Sequence, residues 1–270
     1  WLIYNKGFSS EDAISAITAI QELQNRKINE FIPSLDINNP SSWTALDAYK
    51  FTAEEISAES GIDLGIVTNV IESFVSPIGM SDFSSLDDFN PKNAYPIIKT
   101  SDTEYLLFQN YSLVEALYET PFFWFYEDKA YRSTAMKNRG DFTESFSAQR
   151  LTRVFGDRNV FLNVEIVDSK RNIAGEIDVL IVYANRAIIL QAKSKKLTIA
   201  ARKGNDLSLR DDFKKAVQDA YDQAYSCATL LTDVNYQLIN DSGNELEIER
   251  NLCEIYPFCV VSDHYPALSF

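Results

Sequence analysis

Two short runs, Glu176–Tyr183 and Ala187–Ala192, constrain the fold of this chain more than any other feature of it. Both are rich in Val, Ile and Leu, both are too short for buried helices, and Asn185-Arg186 lies between them. They read as a β-hairpin. With a two- or four-residue loop centred on Asn185-Arg186, Asp178 stands opposite Lys193 and Leu180 opposite Gln191. The two-residue period of a strand then places Asp178, Gln191 and Lys193 on one face. A three-residue loop would send Asp178 to the other face. A carboxylate in mid-strand among apolar residues costs free energy unless something pairs with it.

The segments around the hairpin predict a mixed α and β domain. Asp141–Phe155 reads as a helix that Gly156 ends, with Phe142, Phe146, Leu151, Val154 and Phe155 apolar. Asn159–Val167 alternates as a strand, with Val160, Leu162, Val164 and Ile166 on one side. Asp211–Leu231 is the longest helix, its stripe running Phe213, Val217, Ala220, Ala224, Cys227 (or Ala228) and Leu231. Tyr256–Val261 is a further strand. The predicted order is helix, three strands, helix, strand.

The first half differs in both pattern and charge. Ser10–Arg26 is amphipathic through Ile14, Ile17, Ile20 and Leu23. Thr52 and Glu55 have capping-box spacing, and Gly61 separates the helix they start from Asp63–Phe74. Tyr95–Lys99 and Tyr105–Gln109 could form the hairpin of a wing, which completes a winged-helix outline. DNA recognition by this module is disfavoured on charge. Asp63–Phe74 has no Lys or Arg, and residues 1–130 carry 20 acids against 7 bases. A structural or protein-contacting module fits better. The aromatic run Leu113–Tyr131 reads as core between domains, and polar Arg132–Gly140 marks the boundary. The domains are therefore an acidic, mostly helical 1–131 and a mixed 132–270.

Composition removes several chemistries. The single histidine, His264, excludes a multi-histidine metal site and reads as ordinary surface. Three cysteines form no CxxC pair, which suits a reducing cytoplasm better than a disulfide framework. Nine glycines include no phosphate-cradling motif. No apolar run approaches the ~20 residues of a membrane helix, so no membrane partner is expected. A start at Trp1 and an apolar end suggest a piece of a longer chain, and self-assembly into a homo-oligomer is left open.

What remains for chemistry is carboxylate, amide and lysine. A carboxylate with amide or carbonyl oxygens suits Mg²⁺ or Mn²⁺, and a lysine beside them can stabilise a developing oxyanion. Residues 190–215 hold eight bases against three acids, including Lys195, Lys196, Arg202 and Lys203. In a chain of net charge −14, such an island suits an anionic ligand, although a solvated basic loop explains it equally well.

At these residues the chain resembles the PD-(D/E)XK restriction-endonuclease-like superfamily, in its Mrr-like D…QxK form. The resemblance is carried by Gly175-Glu176-Ile177-Asp178-Val179 and Gln191-Ala192-Lys193, and it covers about residues 140–231. It implies a three-layer α/β/α core and divalent-metal phosphodiester hydrolysis, most readily of DNA rather than RNA. Carried over, Asp178 is the metal ligand, Gln191 the second motif position and Lys193 the catalytic lysine. Glu144 is the first acid and a further metal ligand. Gln218 and Gln223 occupy the helix that in relatives often reaches the phosphates. Ile177 stands where the motif has proline. Gln191 replaces a carboxylate and removes one anionic ligand.

Blander roles stay open beside these. Glu144, three residues after Asp141, could belong to an N-terminal cap, and Lys193 could simply pair with Asp178. Glu176, at the strand start, reads as exposed surface. Gln218 and Gln223 could be a polar helix border. The rival functions are a phosphoesterase acting on RNA or a small nucleotide, and a catalytically lapsed domain that binds nucleic acid or a protein.

Overall fold

Ser9 starts the first long helix by exchanging bonds with Asp12: its hydroxyl accepts from the Asp12 N–H, and the Asp12 carboxylate accepts from the Ser9 N–H. Two donors that the helix leaves open are thereby satisfied. The computed structural model describes residues 1–36, 38–40, 43–77, 85 and 90–263, so His264 lies outside the described residues. Packing divides the chain into two units, Trp1–Glu127 and Asp128–Phe270.

The first unit runs α1 (Leu2–Lys6), α2 (Ser10–Phe31), β1 (Lys50–Thr52), α3 (Ala53–Ser60), α4 (Leu64–Ser73), β2 (Ile98–Lys99), β3 (Glu104–Leu106) and α5 (Asn110–Glu127). Thr52 and Glu55 close the reciprocal cap that their spacing predicts. Gly61 then turns the chain in the left-handed region at φ 72°, and Asp63 caps α4. The three strands form an antiparallel sheet in the order β1-β3-β2. Ile20, Phe51, Ile56, Ile71 and Phe74 fill the core beneath them. From the aromatic run, Trp124 joins this core against Phe74, with ring centroids 5.6 Å apart.

The second unit contains α6 (Arg132–Phe155), β4 (Val160–Val167), β5 (Ile173–Tyr183), β6 (Arg186–Lys193), α7 (Ile199–Arg202), α8 (Asp206–Phe213), α9 (Asp219–Leu231), β7 (Gln237–Ile239) and β8 (Glu254–Val261). It is an α/β unit built on a five-stranded sheet of order β7-β4-β5-β6-β8. β8 runs parallel to β6, and the other pairs are antiparallel. Ala224, Cys227 and Leu231 of α9 pack on Ile177, Leu180, Ala187 and Ile189. Ala148 of α6 packs with Val179, Ile181, Leu190 and Ala192. Because neighbouring positions on each strand divide between these clusters, the two helices cover opposite faces.

Several expectations are corrected here. The hairpin loop is Ala184-Asn185, with Ala184 at φ 52°, so the pairing moves by two residues and Leu180 faces Ile189 rather than Gln191. The strict alternation of β4 and β5 also fails. Leu162 and Val179 pack towards α6, whereas Val164 and Ile177, only two residues away on each strand, pack towards α9. Asn163, left-handed at φ 48°, lies where β4 changes sides. Such breaks insert an irregularity that re-aims side chains. Asp178 is the residue between Ile177 and Val179, so it does not simply share the face of Leu180.

The helices differ as well. α6 begins at Arg132, so the polar segment read as a boundary is helical and Glu144 sits in mid-helix, which removes its capping role. Between α8 and α9, Lys214–Gln218 form a π-helical turn. Its wider turn rotates the buried stripe, and Ala216 rather than Val217 is buried. β7 is a strand that the apolar pattern did not show, because only three residues form it.

Candidate functional site

β5 and β6 are ladder-paired from Tyr183/Arg186 only as far as Val179/Leu190. Beyond that point β5 stays paired with β4, and β6 stays paired with β8 out to Lys193/Val261. The two central strands therefore part, and buried backbone groups in the gap need other partners. Side chains supply them. Asp178 Oδ2 accepts the Ala192 N–H at 2.7 Å, and Gln191 Nε2 donates to the Glu176 carbonyl at 2.6 Å.

Each of these side chains has an oxygen left over. Asp178, 8% exposed, makes no hydrogen bond through Oδ1 among the described residues. Gln191 is fully buried at 0% exposure, and its Oε1 has no hydrogen-bond partner. A buried, unsatisfied amide oxygen costs about 1–3 kcal/mol. Bridging the strands accounts for only half of each side chain.

Glu144, half-buried on α6, lies close enough to Asp178, Glu176 and Lys193 to feel their charges. Burial raises its pKa, repulsion from Asp178, Asp141 and Glu176 raises it further, and Lys193 opposes the rise. Burial also raises the Asp178 carboxyl pKa, against the Ala192 N–H and Lys193. Both groups are disfavoured as anions, which is the condition that a nearby cation relieves. Lys193, half-buried at the end of β6, acts on both carboxylates but closes a salt bridge with neither. The simple Asp178–Lys193 ion pair is therefore not formed.

Thiols do not compete for the chemistry. Burial pushes the Cys227 thiol up to about 11, and burial also raises that of Cys259. Both stay protonated at neutral pH, so oxygen donors dominate. Among the described residues, no three His, Cys, Asp or Glu side chains gather at ligating distance. The most the gap offers is two carboxylates and neutral oxygens.

The remaining residues picked from the sequence divide. Gln223 donates to the Glu176 carbonyl at 3.3 Å, where the Cys227 thiol also points at 3.5 Å. Gln218 is exposed and donates instead to Asp222, one helical turn along. Glu176 has an exposed side chain, as expected, and contributes through its carbonyl. The basic island is not one solvated surface. Lys195 binds Asp212 at 2.7 Å, Lys196 is 5% exposed, Arg202 is half-buried and Lys203 is exposed.

Asp212 was missed in the sequence. It is 1% exposed and also accepts the Thr198 N–H at 2.7 Å, so it ties down the segment that leaves β6. An acid inside a basic island was the available signal. Arg139, also missed, donates from Nη2 to the Ser194 carbonyl at 3.2 Å and so holds the same segment. Comparison of the chain with family models, curated proteins and solved structures gives no match.

Proposed function

We propose that the second unit is a divalent-metal-dependent nuclease that hydrolyses phosphodiester bonds, with DNA favoured over RNA. The observation that carries the reading is the Gln191 Oε1 atom, buried and unpartnered across the strand gap from Asp178. Asp178, Glu144 and that amide oxygen would supply hard-oxygen donors of the kind Mg²⁺ or Mn²⁺ takes. Such an ion supplies charge neutralisation on a phosphodiester and acidifies water. Asp178 and Gln191 would hold it, each anchored by the bridge it makes between β5 and β6. Lys193, bound to neither carboxylate, keeps an ammonium available for charge developing on a phosphoryl oxygen. Lys203 and Arg202 lie on the segment beyond β6, where they could meet the phosphate backbone.

The helix–sheet–helix layering around the hairpin supports a restriction-endonuclease-like core. In the first unit, the order α2-β1-α3-α4-β2-β3 supports a winged-helix-like module. The absence of Lys and Arg from α4 favours a protein contact for it over DNA. A second reading, a lapsed nuclease domain that still binds nucleic acid, is favoured by Gln191 standing where a carboxylate would complete an anionic set.

Incubating the chain with plasmid DNA and with RNA, under Mg²⁺, Mn²⁺ or EDTA, tests the proposal. Cleavage that needs the ion is the expected result. Equal cleavage in EDTA, or none under any condition, overturns it. Binding without cleavage selects the lapsed domain.

A further inference from the structure

The outward face of α6 carries an aromatic and cationic strip that the metal site does not use. Phe142 and Phe146, one turn apart, are 67% and 44% exposed. Their rings stack with centroids 5.7 Å apart and planes 25° from parallel. Arg150, a turn further on, lies over the Phe146 ring at 4.8 Å. Arg153 follows at the next turn of the same face, because positions i, i+4, i+8 and i+11 fall together on a helix. Both arginines are exposed and make no ion pair among the described residues. The two acids of α6 are off this strip: Asp141 is engaged by Lys137, and Glu144 is half-buried and couples to Asp178, Glu176 and Lys193.

Two solvent-exposed phenyl rings return little to a helix through pairing with each other, and their exposure keeps apolar area in water. In a chain of net charge −14, α6 holds five bases against two acids. Flat rings flanked by unpaired guanidinium groups suit a ligand with exposed π-faces and regularly spaced negative charge. An intact duplex hides its base faces, whereas an unpaired strand presents them.

We propose that Phe142, Phe146, Arg150 and Arg153 form a binding strip for single-stranded nucleic acid, with bases stacked on the phenyl rings and phosphates held by the arginines. The proposal rests on the nuclease reading and deepens it, naming strands with unpaired bases as the substrate class.

The test uses the whole chain carrying Asp178→Asn, in EDTA, so that neither cleavage nor metal affects binding. Fluorescence anisotropy compares a labelled oligothymidylate with a duplex of equal length. Oligothymidylate should bind more tightly. Phe142→Ala and Phe146→Ala should each weaken that binding by about 5- to 150-fold. Phe146→Trp should keep it, and Arg150→Gln should reduce the slope of log affinity against log salt by about 0.7. The alanine variants should melt with the parent, since the removed rings are exposed. Oligothymidylate affinity that ignores both phenyl substitutions overturns the proposal. So does a dimer, seen by light scattering, that Phe142→Ala dissolves, because the face is then a self-association surface. Failure of the parent chain to cleave under Mn²⁺ counts against the nuclease reading alone, since the strip is assayed without metal.

Discussion

Asn163 of β4 adopts the left-handed conformation between the paired positions that flank Asp178 of β5: Leu162 pairs with Val179, and Val164 pairs with Ile177. Both strands change faces at this point, so the backbone of one residue helps to aim the carboxylate of the other. Asparagine tolerates positive φ better than most side chains, and a β-branched residue tolerates it least. Asn163→Gly should therefore change stability by less than about 1 kcal/mol. Asn163→Val should lower it by about 2 kcal/mol or more through strain. Urea denaturation measures both, and equal losses would show that the left-handed backbone is not the reason for asparagine here.

Asp178→Asn and Lys193→Ala should fail in different ways. The first removes the charge that holds a cation, so Mn²⁺ should no longer raise the melting temperature, while the metal-free protein melts at or above wild type. The second leaves every oxygen donor in place, so the Mn²⁺ shift should persist while turnover drops about 10²- to 10³-fold. Thermal melts of the three proteins, with and without Mn²⁺, check the binding half. A wild type whose melting ignores the ion would remove the metal from the site.

Gln191→Glu separates ligand from strut. The new carboxylate would add a third anion beside Asp178 and Glu144 and could no longer donate to the Glu176 carbonyl. Without metal the variant should be less stable than wild type, and with saturating Mn²⁺ its melting temperature should rise further than that of wild type. If Gln191 serves only to bridge the strands, the ion will not recover the loss.

Burial pushes the Asp212 carboxyl pKa up, but the Lys195 ammonium and the Thr198 N–H outweigh it and hold it below the usual carboxylate range. A lowered folded-state pKa contributes stability that is complete above the unfolded value of about 3.9 and is lost as pH falls through the folded value. Asp212→Ala should cost about 1.5–3 kcal/mol at neutral pH. The gap from wild type should narrow as pH falls below about 4, which urea titrations at several pH values would show. A gap independent of pH would mean that packing, not charge, is what Asp212 contributes.

Local order was legible in the residues themselves. The Thr52/Glu55 cap, the Gly61 turn, the hairpin and the helix that carries Glu144 all follow from backbone chemistry within a few residues, where sequence spacing and spatial spacing agree. The single face expected for Asp178, Gln191 and Lys193 rested on a strict two-residue period, and that period breaks at Asp178, between Ile177 and Val179. What the sequence could not supply depends on partners distant in the chain. The loop falls at Ala184-Asn185, one residue earlier than the local pattern predicts, and beyond Val179/Leu190 the strands part, with β4 holding one and β8 the other. The π-helical turn that buries Ala216, and the burial of Lys195's partner Asp212, are likewise decided by neighbours. Propensity sets which segment becomes strand or helix, but burial sets which side of it meets a partner. Only the assembled sheet shows that Gln191 is left with one buried oxygen that no described residue binds.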